Sequence, residues 1–448
     1  MLQTKIPEAR EATYPIVPEC GPQPLRGDPM NGERYYSRDF AQAEWDHMWT
    51  RVWHIGGRMA QLEEAGDFVV HNFLTESVVM VRQSDGTVRA FYNVCQHRGN
   101  KLAWVNEGSV TNGLRCSYHG WNWGIDGVLT DIQDPDDFPQ GNPCGKLTLK
   151  EVPCETWGGF VWYSMDPEAR PLAEYLHPMP ALLANRRMDD LVRVVWKTVK
   201  VNTNWKFSPD NFNESYHLPT VHPQMRQMID EDYKNTLFDM FPNGHNRMIE
   251  QGQPSMRADF PNMVEPVWEM MLSDWGIDPK AYEGRAREGR LALQAAKRDQ
   301  GAARGCDYFD SLLDDELTDY FHHTLFPNVT ITGTPDGVHF FRTEPVRNEP
   351  EWCTFDYWYL VPRIRGQSEV ATVYGMRPYE EAAHEASNYG DASGGHHLGD
   401  FIDQDLSVAV AQQEGFRSRG YSDSYLSGQE SRVRRFHEVL NDYLEGRR

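Results

Sequence analysis

Long apolar runs are absent from this chain. Nowhere in its 448 residues do about eighteen apolar residues follow one another, so no membrane helix is expected. The opening stretch MLQTKIPEAREATYP lacks the apolar segment that a secretory signal carries. Positive charge is scarce. The 44 Lys and Arg face 66 Asp and Glu, for a formal net charge of −22, which weighs against nucleic acid or an anionic membrane as a partner. Cysteine is sparse and odd in number, at 7. Cys20, Cys144, Cys154, Cys306 and Cys353 show no paired spacing, so buried thiols in a reducing cytoplasm are expected rather than disulfides. No internal repeat is visible, and no nicotinamide or flavin fingerprint.

What is present is a pair of mixed soft-ligand motifs. Cys95-Gln-His97 stands in CQHRG, and Cys116-Ser-Tyr-His119 in CSYHGW. Each offers one thiolate and one imidazole. Two Cys on one iron and two His on the other is the ligand set of a Rieske [2Fe–2S] centre. A structural zinc site is the alternative, but such sites usually pair Cys with Cys and His with His at short spacing.

The length suggests two to three domains. Residues 1–33 are rich in Pro and Gly and read as an extended arm. Ser37 is placed to cap a helix with Trp45, Met48, Trp49 and Val52 on one face. From about residue 53 short strands alternate with Gly turns, as at Ser84-Asp-Gly86 and Asp126-Gly127, and this all-β region ends near Trp162. A Pro-punctuated connector follows from Pro171 to Pro180. Leu191–Val201, Val338–Arg342, Trp352–Val361 and Val370–Met376 read as strands of a larger sheet. Residues 225–325 between them read as helical. A helix is expected over Asp403–Gln413, stopping at Gly415. Ser427 to Glu430 is a capping box before a helix carrying Val433, Phe436, Leu440 and Leu444.

A Rieske cluster passes single electrons, so a receiving centre is sought. His217 and His222 lie five apart, which on a regular helix would set them about 140° apart. Pro219 is expected to break the helix and let His222 swing back towards His217. Two His and one carboxylate on one face of iron(II) leave positions open for O2 and substrate. Two ordinary His in a helix and loop is the plain alternative. Asp405 is the preferred carboxylate, since Val408, Ala409 and Gln412 after it form an uncharged, inward-looking face. Asp403 is roughly opposite and reads as solvated or capping.

With both sites assembled, the chain resembles the large (α) subunit of Rieske non-haem iron aromatic-ring-hydroxylating oxygenases. CQHRG, CSYHGW, DNFNESYH-x4-H and the late D-x-D…QQEG fall in that family's order over nearly the whole chain. The resemblance implies an α+β protein: a small all-β Rieske [2Fe–2S] domain and a helix-grip (START-like) catalytic domain with an antiparallel sheet. The division is then 1–52 for an N-terminal arm and helix, 53–165 for the Rieske domain and 166–448 for the catalytic domain. It implies Cys95, His97, Cys116 and His119 on the cluster, and His217, His222 and Asp405 on mononuclear non-haem Fe(II). It also places a carboxylate three residues before the first iron His, joining the two centres across subunits. Glu214 stands there instead of the usual Asp, with Asp210 as a rival.

The implied activity is that of a terminal oxygenase. It would take electrons from a separate NAD(P)H-dependent reductase or ferredoxin and use O2 to hydroxylate, or dihydroxylate, an aromatic or polycyclic substrate. The alternative on the same scaffold is a monooxygenase or demethylase acting on a quaternary amine or an N- or O-methyl compound. A pure electron carrier is a third reading, which the chain length argues against. A cytoplasmic homotrimer, or an α3β3 assembly with a small β subunit, follows from the same resemblance. Met240, Phe241, Met256, Phe260, Met263 and Trp268 are candidates for an apolar pocket, and Arg226, Arg247 and Arg257 for a substrate clamp. Respiratory Rieske proteins carry two further Cys where Asn100 and Tyr118 stand, and Ser and Tyr hydroxyls where Trp121 and Trp123 stand. Fewer hydrogen bonds to sulfur imply a low reduction potential.

Overall fold

The computed structural model describes residues 13–390 and 398–448; the first twelve residues of the expected arm lie outside the described residues. The chain folds into two compact units. One spans Trp45–Tyr175, and the other combines the N-terminal residues through Glu44 with Leu176–Arg448.

The smaller unit is all-β. Its main sheet has five strands in the order Glu107–Ser109, Asp67–Phe73, Glu76–Arg82, Val88–Tyr92 and Glu151–Val152, all antiparallel. Val78, Val79, Met80 and Val81 are each fully buried, so the central strand is covered on both faces. Gly86 turns the chain between strands at φ +85°, a conformation that favours glycine. A three-stranded sheet of Leu114–Arg115, Asn122–Trp123 and Leu129–Asp131 carries the second soft-ligand loop. A further sheet pairs Phe160–Ser164 with Trp53–Arg58 and Cys154–Trp157.

The larger unit is built on an eight-stranded sheet. The order is Leu237–Met240, Asn246–Glu250, Tyr320–Leu325, Val329–Thr334, Gly337–Val346, Glu349–Val361, Val192–Val201 and Glu385–Asn388. Only the last pair is parallel. Helices Phe207–Phe212, Asp400–Phe416 and Ser431–Leu444 accompany it. This is the α+β helix-grip arrangement, and no helix among the described residues is long and apolar enough to cross a membrane.

Several expectations are corrected. The stretch 225–325 is only partly helical, over Pro266–Asp274 and Gly289–Gln300; it also supplies three strands of the sheet. Asn246–Glu250 is buried at every position, so its period-two signature is lost. Val370–Met376 does not join the large sheet but lies in a separate hairpin, Glu369–Thr372 with Gly375–Pro378. The Pro171–Pro180 connector contains two short helices. The arm's described part is irregular yet anchored: Met240 N–H donates to Gly21 O at 3.0 Å, and Gly21 N–H to Asp239 Oδ1 at 2.9 Å. Ser37 does accept the Phe40 N–H at 3.3 Å, but the helix ends at Glu44 and continues as a wider π-type segment, Trp45–Trp49.

Candidate iron-sulfur and mononuclear metal sites

Two loops of the smaller unit share one construction. Cys95 N–H donates to Asn100 O and Cys116 N–H to Trp121 O, each at 2.8 Å. Four residues after each Cys, Gly99 and Gly120 return an N–H to the Cys carbonyl at 3.0 Å. Both glycines sit at positive φ, +74° and +69°, which a side chain would resist. The loops therefore present Cys95 with His97, and Cys116 with His119, in matching turns. Both sulfurs are buried, and the His97 and His119 rings lie 4.6 Å apart.

The polar inventory tests what these loops could hold. His97 Nδ1 and His119 Nδ1 are buried and have no hydrogen-bond partner among the described residues. Buried, unpaired ring nitrogens are costly unless something binds them. Burial, with His119 and Arg98 nearby, holds His97 below its ordinary value, so its ring is neutral, the metal-binding form. Burial works against the Cys116 thiolate, but donors from Tyr118 N–H, Asn100 and His119 N–H outweigh it and lower this thiol. Two sulfurs and two imidazoles fit a Rieske [2Fe–2S] cluster.

The second site lies in the larger unit. His217 precedes the helical turn Leu218–Val221, and His222 follows it at φ −124°, ψ 56°. Pro219 does not break this turn. It occupies the first turn, where its missing N–H costs nothing, and the chain leaves the helix only at His222. The turn, not a break, sets the ring centroids 5.4 Å apart at 78°. Upstream, Asn213 is pinned by Thr324 Oγ1 at 2.7 Å and Arg432 Nη2 at 3.1 Å.

Asp405 comes from helix Asp400–Phe416. The helix is fixed in height by Gln413, two turns on, whose Oε1 accepts the Asn204 N–H at 2.9 Å. Its buried residues include Asp405, Leu406, Ala409, Gln413 and Phe416. Val408 and Gln412, expected to point inward, are exposed. Asp403 is buried rather than solvated, and it accepts the Leu398 N–H at 3.2 Å, just ahead of the helix.

Asp405 Oδ1 lies 2.8 Å from His222 Nε2 and 3.7 Å from His217 Nε2. All three ligand atoms fall within 4.8 Å of one another. Each ring is oriented from behind. Glu214 Oε1 meets His217 Nδ1 at 2.6 Å, and Gln404 Oε1 meets His222 Nδ1 at 2.7 Å. Such partners leave Nε2 free to bind a metal. Burial opposes a charged His217, but the Glu214 carboxylate raises it to about 9. Two imidazoles and a carboxylate fit iron(II) with open positions. Glu214 Oε2 also accepts the His217 N–H at 3.1 Å. Asp210 is engaged on both oxygens, by Tyr35 OH at 2.7 Å and His437 Nε2 at 2.9 Å.

Phe212 stacks on Phe341 at 4.4 Å and joins this segment to one sheet face. On that face His339 stacks on Tyr359 at 4.6 Å, and its Nδ1 meets Tyr357 OH at 3.0 Å. Burial, with His322 adding, pushes His339 down to about 4, so it is neutral. His322 Nδ1 meets Thr332 Oγ1 at 2.9 Å, and its Nε2 lies 3.3 Å from Glu250 Oε2. Glu250 Oε1 is buried without a partner among the described residues, and the carboxylate is close enough to act on His217. Sequence reasoning missed Glu250 and His322 because their strands read as helix. It missed Gln404 too, although adjacency to Asp405 was an available signal. Of the pocket candidates, Met240, Phe241 and Trp268 are buried core, while Met256, Phe260 and Met263 are exposed. Arg247 is a buried strut to Asp239 and Pro15 O; Arg226 and Arg257 face Glu231 and Asp232.

An all-β unit offering two Cys and two His, and a helix-grip unit offering two His and a carboxylate, define a Rieske protein with a non-haem iron domain. The chain belongs to the ring-hydroxylating alpha-subunit family: residues 188–446 match the profile "Ring hydroxylating alpha subunit (catalytic domain)", and residues 52–148 match "Rieske [2Fe-2S] domain". It is 32% identical over 202 residues to the carnitine monooxygenase oxygenase subunit of Escherichia coli K12, covering 44% of this chain and 54% of that one. It is 34% identical over 189 residues to the large oxygenase component of the Pseudomonas putida naphthalene 1,2-dioxygenase system, covering 40% and 41%. These alignments thus span about half the length of the curated relatives or less. A crystal structure of a quaternary ammonium Rieske monooxygenase shares the fold, with a TM-score of 0.64 at 18% identity over 93% of this chain and 95% of that one.

Proposed function

We propose that this chain is the terminal oxygenase component of a multi-protein system. It takes single electrons from a separate NAD(P)H-dependent reductase or ferredoxin and uses O2 to oxidise a small organic molecule. The observation that carries this reading is the convergence of His217 Nε2, His222 Nε2 and Asp405 Oδ1. The cluster supplies one-electron transfer, and iron(II) supplies O2 chemistry beside the substrate. Cys95, His97, Cys116 and His119 would hold the former, and His217, His222 and Asp405 the latter. Glu214 and Gln404 keep the imidazoles in the tautomer that aims Nε2 at the metal. Glu214 is also our preferred link between the two centres, ahead of Asp210, because its carboxylate touches the His217 imidazole directly, while Asp210 is held by Tyr35 and His437. A cytoplasmic homotrimer, or an α3β3 assembly, is the assembly proposed from the family resemblance.

Two substrate classes are in play. The rings of Phe212, Phe341, His339, Tyr357 and Tyr359 support an aromatic or polycyclic substrate, hydroxylated or dihydroxylated. The unpartnered carboxylate oxygen of Glu250 favours the second class, a quaternary amine or N-methyl compound, because aromatic faces and a buried anion both attract a cation. The test is O2 uptake and product analysis with iron-loaded protein and a ferredoxin–reductase pair. A bicyclic hydrocarbon and a trimethylammonium compound are compared in wild type and Glu250→Gln. A ring diol or phenol supports the first class. Released amine or aldehyde, with KM raised about tenfold in the variant (about 1.4 kcal/mol), supports the second. No substrate-dependent O2 uptake with either class contradicts the oxygenase reading.

A further inference from the structure

The three ligand atoms of the mononuclear site come from two elements far apart in sequence. His222 and Asp405 are separated by 183 positions, so the chain between them does not set their spacing. Tyr35, a buried residue of the short helix Glu33–Tyr36, touches the supports of both elements. Its hydroxyl donates to Asp210 Oδ2 at 2.7 Å. Asp210 lies in helix Phe207–Phe212, and the chain runs on from there through Asn213 and Glu214 to His217. The Tyr35 carbonyl accepts a hydrogen bond from Gln413 Nε2 at 3.1 Å. Gln413 lies in helix Asp400–Phe416, two turns beyond Asp405.

Both holds are themselves fixed. The Tyr35 ring stacks on Phe416 of the Asp405 helix at 4.0 Å and 7°. At Gly32 an added Cβ would fall 2.5 Å from Phe416 O, so the N-terminal segment approaches this helix only because that residue is glycine. Asp210 Oδ1 accepts from His437 Nε2 at 2.9 Å. His437 Nδ1 then accepts from Arg34 Nη1 at 3.4 Å, and Arg34 Nη2 donates to Asn441 Oδ1 at 2.5 Å. Gln413 Oε1 takes the Asn204 N–H at 2.9 Å. In a buried network of this kind each bond is stronger than in water and its geometry is closely defined.

We infer that Tyr35 is a positioning residue that clasps the His217 segment to the Asp405 helix and so sets the spacing of the three iron ligands. The side chain holds one element and the main chain holds the other. A metal site keeps its affinity only while its ligands stay within about 0.5 Å of the productive geometry, which requires the elements carrying them to be locked to each other. Tyr35 acts through Asp210 and Gln413. The inference rests on the reading of His217, His222 and Asp405 as iron(II) ligands.

Anaerobic iron(II) titration of the full chain, with melting of the metal-free protein alongside, tests the inference in Tyr35→Phe. This variant keeps the ring stack and the carbonyl and loses only the hydroxyl. Its metal-free melting should fall by about 1–2 °C, with cluster content unchanged. Its iron(II) Kd should rise about tenfold, or about 1.4 kcal/mol. In an Asp210→Ala background the same change should add little, because the hydroxyl has lost the group it acts through. A lowered melting temperature with an unchanged Kd would give Tyr35 a role in stability alone and overturn the inference, as would an equal rise in Kd in both backgrounds. Should Tyr35→Phe fail to fold, Asp210→Ala is read in its place: a raised Kd supports the clasp, and an unchanged one overturns it. Wild-type protein that binds no iron(II) would instead overturn the three-ligand reading on which the inference rests.

Discussion

Asp405→Ala separates a metal ligand from an ordinary buried acid. In the metal-free protein, Asp405 Oδ1 meets His222 Nε2 at 2.8 Å, and the residue is nine-tenths buried. Removing a hydrogen bond of this kind costs about 1 kcal/mol, so the metal-free variant should melt a degree or two lower. Adding iron(II) separates the two proteins. A ligand that binds only the folded state at a hundred times its Kd stabilises it by about 2.7 kcal/mol, or about 4 °C for a unit of about 300 residues. Wild-type protein should show that rise in the melting of the larger unit under anaerobic calorimetry, with the cluster absorbance unchanged. Asp405→Ala should show none, because two imidazoles alone hold iron(II) poorly. An iron-dependent rise of equal size in the variant would refute the three-donor site.

Other substitutions test how the sites are held. Gln404→Leu removes the oxygen behind His222 Nδ1 and should weaken iron(II) binding by about 10–100-fold in an anaerobic metal titration, while leaving cluster content intact. Lys206→Met strands the buried Glu44 carboxylate, now paired at 2.6 Å, and should cost about 3–5 kcal/mol in denaturant unfolding; adding Glu44→Gln should recover part of it. Gly99→Ala should still assemble a cluster, at a cost of about 1–2 kcal/mol for its left-handed backbone, since nothing lies within 4 Å of the new Cβ. Gly113→Ala should lose cluster absorbance, because its Cβ would fall 2.1 Å from the Trp123 carbonyl.

The two cluster loops were legible because their chemistry is compact: each carries a Cys, a His and a turn-forming Gly within five residues. The same holds for the DNFNESYH segment, whose conformation is set by local turns. Asp405 could be placed on a helix, but not its whole face. The buried side runs through Leu406, Ala409, Gln413 and Phe416, and Gln413 is drawn inward by Asn204, a contact 209 residues away in sequence. The strands Leu237–Met240, Asn246–Glu250 and Tyr320–Leu325 were not legible. They are interrupted by helices, and Asn246–Glu250 is covered on both faces, so neither alternation nor composition marks it. Glu250 and His322 consequently stayed hidden, because only strand pairing brings them onto one face.

Metal and acid-labile sulfide analysis of anaerobically purified protein, with EPR of the reduced form and a His217→Ala variant alongside, tests the central claim of two separate iron centres. The account predicts about three irons and two sulfides per chain in wild type, and about one iron fewer in the variant with an unchanged cluster signal. About two irons in both proteins, after iron(II) has been added back to each, would contradict it and leave a Rieske electron carrier.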